Sequence, residues 1–198
     1  MECFQARVDS FLKSKRIKKT SKSNSASTTV KWPHPTSFNA NPTSLAEAGF
    51  YWSPSWKDRD TVICFLCSKE LSDWDHEDDP LEIHWERCGH SCAWAMVRCG
   101  LSQDTAEDGS YVFSNKERVP TTKIMEGARL RTFGENLWPH DVDDDHGASS
   151  QKVAHAGFVY TPESKGDDTV TCLYCGVTLA GWDKDDDPMY VHELFLQI

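Results

Sequence analysis

The sequence predicts an α+β protein made of two small domains that repeat one pattern. Three observations predict it. The stretch Cys64-Phe65-Leu66-Cys67 is followed by His84 and then by Cys92. Two thiolates two residues apart fit one tight turn and two corners of a tetrahedron, and a later His and Cys close the other two. A structural zinc takes such a closed set of soft and borderline ligands. The pattern begins again at Cys172, Cys175 and His192. Finally, charged residues make up 26% of the 198 residues and the hydrophobic set 38%. That is little apolar material for one large core, and metal staples suit two small ones.

Composition also narrows the partners. Eight cysteines follow a start with Glu2 and Arg7 and no apolar signal segment, so they read as metal-bound thiols rather than disulfides. No apolar run is long enough to cross a bilayer, and no membrane partner is expected. The net charge of −10 argues against wholesale coating of nucleic acid and favours basic or amine-bearing partners.

In chain order, residues 2–11 form an amphipathic helix with Phe4, Val8 and Phe11 on one side. Residues 12–31 hold Lys13, Lys15, Arg16, Lys18, Lys19, Lys22 and Lys31 and no acid. They read as a mobile, solvated basic loop; the sharper alternative is a nuclear address or a weak DNA contact through Lys13–Lys31. Trp32-Pro33 ends it. Leu45 to Ala48 form a short helix, with Thr43 or Ser44 as N-cap and Gly49 beyond its C-terminus. Residues 50–52 and 61–65 are strands, and 68–71 pair with the second. Asp78-Asp79-Pro80 opens a helix that turns His84 toward the cysteines. Residues 99–124 are polar and weakly periodic, so the expected domains are 1–97 and 126–198, joined by a linker at 98–125.

From Arg129 the first half returns. Trp138-Pro139-His140 echoes Trp32-Pro33-His34. Residues 45–84 align without a gap on 153–192, and 18 of those 40 positions are identical; that is internal duplication. The second copy lacks the basic stretch, which is therefore an insertion.

Arg7, Ser10-Phe11, Trp32-Pro33, Ala48-Gly49-Phe50, Cys64, Cys67, Trp74, Asp78-Asp79-Pro80, His84 and Cys92 together resemble the baculoviral inhibitor-of-apoptosis repeat, or BIR domain. The resemblance covers residues 7–97 and 129–198. With its insertion and tandem arrangement, the chain is most similar to fungal survivin-like proteins of the chromosomal passenger complex. The resemblance implies a three-stranded antiparallel sheet surrounded by short helices, one zinc per complete domain and no catalytic activity. It also implies a groove beside a sheet strand that takes the free N-terminus of a peptide. In survivin-like members that peptide is a phosphorylated histone tail, bound in the nucleus on chromosomes with a possible cytoplasmic pool, alongside other passenger-complex subunits. In apoptosis inhibitors it is a protease or antagonist N-terminus. The Cys92-Ala93-Trp94 ending favours Cys92 over Cys88 as fourth ligand. The second copy ends six residues after His192 and is expected to be truncated, with Cys99 a remote stand-in.

A peptide amine needs carboxylates and an aromatic wall. By resemblance Asp78 and Asp186 take the amine, with Asp73 or Glu77 helping in the first copy. Trp74 and Leu71 wall the first side chain, as do Trp182 and Leu179 in the second. Lys69 and Arg87 hold a phosphothreonine; Val177 replaces Lys69 in the second copy, and Ser72 stands where the family has an acid. Asp79 and Asp187, directly before proline, are expected to cap helices. Trp32 and Trp138 are expected in the core. An enzyme reading, with Cys172, Cys175 and His192 as an open zinc site and Glu193 as base, is set aside because the first copy is closed.

Overall fold

The computed structural model describes residues 1–19, 26–135 and 137–196. The chain divides into two compact units, Met1–Cys88 and Gly89–Ile198.

In the first unit, α1 (Phe4–Leu12) buries Arg7, Ser10 and Phe11. The basic insertion is not a loop. It folds into an antiparallel hairpin of β1 (Lys15–Lys19) and β2 (Ala26–Val30), with Ile17 opposite Thr28 and Lys15 opposite Val30. Ile17 and Val30 are buried, and the Lys15 ammonium donates to the Trp52 carbonyl. Two apolar residues with the right alternation anchor a ribbon that its composition disguises. Lys22, part of the expected basic loop, lies outside the described residues.

Helix α2 (Pro42–Glu47) starts three residues before the expected Leu45. Asn41 is the cap, its side chain accepting from the N–H groups of Thr43 and Ser44, and Pro42 takes the first turn. Ser44 is the reciprocal partner in the capping box rather than the cap itself. Gly49 follows at φ 95°, a left-handed position open to glycine without strain. The strands β3 (Phe50–Trp52), β4 (Val62–Cys64) and β5 (Glu70–Leu71) form a three-stranded antiparallel sheet in that order. Its register sets Phe50 opposite Cys64 and Val62 opposite both Trp52 and Leu71. Helix α3 (Pro80–Cys88) buries His84. Trp52 is fully buried, whereas Trp32, expected in the core, is half-buried and packs edge-on against Phe11 and Trp52.

The second unit begins with α4 (Ala93–Val97), which packs against α5 (Lys123–Arg131). The segment expected to be a linker is ordered. A 3-10 turn over Cys99–Asp104 and another over Lys116–Arg118 are joined by an Asp104–Arg118 ion pair at 2.6 Å, with both side chains buried. Arg118 also donates to the Gly100 carbonyl at 2.8 Å. A Cβ on Gly100 would meet that guanidinium at 2.6 Å. Polar composition hid this structure because its core is a charge pair rather than an apolar stripe.

The repeat then continues as α6 (Ser150–His155), β6 (Val159–Tyr160), β7 (Val170–Thr171), β8 (Thr178–Leu179) and α7 (Pro188–Leu196). The sheet order is β6-β7-β8, antiparallel throughout. Phe133, Trp138, Val153, Phe158, Tyr160, Val170 and Trp182 make its core. The duplication holds at the level of single bonds. Arg7 Nε donates to the Ala46 carbonyl at 2.9 Å, and Arg129 Nε to that of Ala154 at 2.8 Å. The Ser10 hydroxyl accepts from the Trp52 N–H, as that of Thr132 does from Tyr160. No helix among the described residues is long and apolar enough to cross a membrane.

Candidate metal centres and peptide groove

Each centre is built on a turn, a helix and one carbonyl. Cys64 ends β4, and its sulfur accepts from the N–H groups of Leu66 and Cys67 at 3.4 and 3.5 Å. Ser68 closes the turn at φ 58°, where the second copy has Gly176 at 77°. His84 is fully buried, and its Nδ1 donates to the Ala48 carbonyl at 2.7 Å. That bond leaves Nε2 as the lone-pair nitrogen, 3.7 Å from Cys67 Sγ. The ligand atoms of Cys64, Cys67, His84 and Cys92 all lie within 4.8 Å of one another. Cys92 caps α4, its sulfur accepting from the Ala95 N–H at 3.5 Å. Cys88 is not in that group; burial pushes its thiol up from the ordinary value.

The second centre repeats the device. His192 Nδ1 donates to the Ala156 carbonyl at 2.7 Å, and Nε2 lies 3.3 Å from Cys175 Sγ. Cys172, Cys175 and His192 fall within 4.8 Å of one another. Cys99 is buried in its own 3-10 turn and is not in that group. An apolar cavity of about 340 Å³ opens beside the three ligands, lined by Pro120, Arg129, Tyr174 and Met189 among others. Both donor sets suit a metal: thiolates from a tight turn, and an imidazole whose tautomer a carbonyl fixes.

Of the expected groove residues, Leu71 and Leu179 lie on the outer strand of their sheets, β5 and β8. Among the described residues, strands β5 and β8 each pair on one side only. Leu71 and Leu179 on them are half-buried. Trp74 and Trp182 are 4% and 6% exposed and pack against Phe50 and Phe158. They are therefore core residues as well as candidate walls. The indole N–H of each is buried and has no partner among the described residues. Asp78 and Asp186 are half-buried, and one oxygen of each accepts from a turn N–H, of Asp75 and Asp183, at 2.8 Å. Glu77 is exposed and meets His76 at 2.6 Å. Lys69 and Arg87 are exposed. Asp79 and Asp187 cap α3 and α7 as expected, accepting from Leu81 and Met189 at 2.8 and 2.9 Å.

A further pair supports the tryptophan and was not singled out from the sequence. Asp60 Oδ2 accepts from the Trp74 N–H at 2.9 Å and meets His34 Nε2 at 3.0 Å. Asp168 does the same for Trp182 and His140. Burial opposes ionisation of Asp60, but hydrogen bonds from His34 and from the Trp74 and Asp73 N–H groups hold its carboxyl below the usual value. The signal was present in the identity of Asp60 with Asp168 and in the Trp-Pro-His echo. A separate cavity of about 570 Å³, lined by Gly147, Gln151, Lys152, Lys184 and Met189 among others, touches only Asp186 of the expected groove set.

Two repeats of a three-stranded sheet ringed by short helices, each with a Cys/His cluster that could hold a metal, define a small repeated module. The sequence profile of the Inhibitor of Apoptosis domain, BIR, matches residues 7–96 and 129–197. The chain belongs to that family. It is 33% identical over 168 residues to the Chromosomal passenger complex protein bir1 of Schizosaccharomyces pombe, across 82% of this chain and 15% of that protein. It is 33% identical over 171 residues to Baculoviral IAP repeat-containing protein 7 of Xenopus tropicalis, across 81% of this chain and 43% of that one. Baculoviral IAP repeat-containing protein 3 of Homo sapiens is 31% identical over 154 residues, 77% of this chain and 21% of that protein. The chain thus spans less than half the length of each of these relatives.

Proposed function

We propose that the chain is a zinc-dependent, non-catalytic peptide-binding module of survivin type, acting in chromosome segregation. On this reading Cys64, Cys67, His84 and Cys92 hold one zinc, and Cys172, Cys175 and His192 supply ligands for a second. Bound zinc is structural: it ties the turn after β4 to α3 and contributes folding energy. The proposed ligand is a free N-terminus lying along β5, with Asp78 and Glu77 toward the amine, Trp74 and Leu71 beside the first side chain, and Lys69 with Arg87 toward a phosphothreonine. Leu179, Trp182 and Asp186 offer the second copy a similar site without the phosphate pair.

The reading is supported by the outer edge of β5, which has no strand partner among the described residues, together with a half-buried carboxylate at Asp78 and two exposed cations at Lys69 and Arg87. An open edge is a template for strand addition, and charge fixes which peptide end is accepted. The similarity to the passenger protein bir1 supports a chromosomal role, and the exposed cations Lys69 and Arg87 suit a phosphorylated histone tail as ligand. The similarity to BIR-containing IAP proteins favours a second reading, an apoptosis inhibitor binding a protease or antagonist N-terminus in the same groove.

Calorimetric titration with one histone-tail peptide in free, N-acetylated and phosphorylated forms tests it. Charge-assisted hydrogen bonds are worth about 1.5–3 kcal/mol each. Asp78→Ala should weaken all forms with a free amine, and Arg87→Ala should remove only the gain from phosphate. Equal affinity for all three peptides would reject the groove; tight binding of a free amine with no gain from phosphate would move the apoptosis reading ahead.

A further inference from the structure

The β1–β2 hairpin has two chemically different faces. Strand alternation sends Lys15, Ile17 and Lys19 one way and Arg16 and Lys18 the other. The first face is engaged with the unit. Ile17 is buried, the Lys15 ammonium lies 5.2 Å over the Trp52 ring, and that of Lys19 lies 5.9 Å over Trp56. Burial lowers the Lys15 ammonium below its ordinary value. The second face is exposed throughout. It carries Arg16 opposite Thr29 and Lys18 opposite Ser27. Arg16 donates to the Ser27 hydroxyl at 2.9 and 3.2 Å, a neutral acceptor that leaves its charge uncompensated. Among the described residues, no carboxylate pairs with Arg16, Lys18 or Lys19.

We propose that this outer face, Arg16, Lys18, Ser27 and Thr29 with Lys31 just beyond β2, is a docking surface for the phosphate backbone of duplex DNA. Guanidinium, ammonium and hydroxyl donors without a neighbouring acid suit phosphate oxygens. The strand pairing holds the cations at two-residue spacing, which lowers the entropy lost on binding. Base stacking has no platform here. Trp52 is buried, and Trp56 lies under both Lys19 and Arg59, which favours a duplex over a single strand. The chain as a whole is acidic at −10, so attraction is confined to this face, and binding is weak, independent of base sequence and strongly salt-dependent. The surface is independent of the peptide groove. It would give the first repeat a second hold on the same chromatin.

The test is fluorescence anisotropy of the metal-loaded full chain with a short labelled duplex across a salt series. Replacing both outer cations, Arg16→Ser with Lys18→Ser, should make the log–log salt slope shallower by about 1.8, at about 0.9 per phosphate contact. Binding should weaken by about two hundredfold near 50 mM salt on the same scaling, referred to 1 M. The swap Arg16→Lys with Lys18→Arg should keep the slope, and circular dichroism and bound metal should match the parent in both variants. An unchanged slope in the serine variant overturns the proposal. Displacement of the duplex by an equal charge concentration of polyglutamate overturns it in favour of an acidic protein partner, and displacement by single-stranded DNA overturns it in favour of a single-strand site.

Discussion

Arg7→Ala should loosen the first repeat through the scaffold that holds its metal ligands. Arg7 is 2% exposed. Its guanidinium donates to the carbonyls of Ala46, Met1 and Glu2 at 2.9, 3.0 and 2.7 Å. It also lies 4.5 Å over the ring of Phe65, inside the Cys64–Cys67 turn. Ala46 is two residues from Ala48, whose carbonyl orients His84. Three charge-assisted bonds at about 1.5–3 kcal/mol each total roughly 5–9 kcal/mol. Burial of the guanidinium opposes them: it lowers the pKa from 12.5 to about 10, a cost of about 3 kcal/mol. The net loss on truncation is therefore roughly 4 kcal/mol. With a urea slope of about 2 kcal/mol per molar, the midpoint of the first repeat should fall by about 2 M, with zinc released at lower denaturant. Arg7→Lys should fall in between, since one ammonium cannot reproduce the fork. Arg129→Ala, losing two bonds of this kind, should cost less. A midpoint within a few tenths molar of the parent would refute the reasoning.

Chelation should unfold the first repeat, and Cys67→Ser should abolish its metal binding; Cys92→Ser should reduce zinc content far more than Cys88→Ser, measured by atomic absorption after dialysis. Arg118→Ala leaves Asp104 charged and buried and should cost about 3–5 kcal/mol in the second unit, read by urea unfolding; a linker-like loss below about 0.5 kcal/mol would contradict the ordered segment. Tyr174 is raised to about 12 by burial, so the folded state keeps a proton that the unfolded state releases near 10, and its contribution to stability is lost as pH rises from 10 toward 12. Its hydroxyl has no partner among the described residues. Tyr174→Phe should therefore be neutral or stabilising by about 1 kcal/mol in thermal melts and should remove a step near pH 12 from the ultraviolet titration.

What the sequence reveals here follows the range of each signal. The metal ligands are legible because Cys and His at turn-and-helix spacing have few other uses, and because His84 and His192 recur at equal distance from their cysteines. The sheet is legible where alternation is apolar, as at Phe50 to Trp52. The hairpin was hidden because, among its described residues, only Ile17 and Val30 are buried, and lysine with serine reads as solvated chain. The turns over 99–118 were hidden because Asp104 and Arg118, fourteen residues apart, look like two surface charges until the fold joins them. At α2 the expected cap lost to Asn41 because Pro42 fits the first turn and lacks the N–H that a later start would waste. In the candidate groove, residue types pointed to Trp74 and Asp78, but only the fold brings Asp60 and His34 together at the tryptophan. Pairings over 14 and 26 residues leave no local pattern.

The most direct measurement of the central claim is a backbone amide and indole shift map of the ¹⁵N-labelled, zinc-loaded chain titrated with a free-amine histone-tail peptide. The account predicts that the largest changes fall on Glu70, Leu71 and Asp78 and on the Trp74 indole N–H, with Lys69 and Arg87 joining them only for the phosphopeptide. Shifts centred instead on Gln151, Lys152 and Lys184, around the separate cavity of the second repeat, with β5 unmoved, would contradict it.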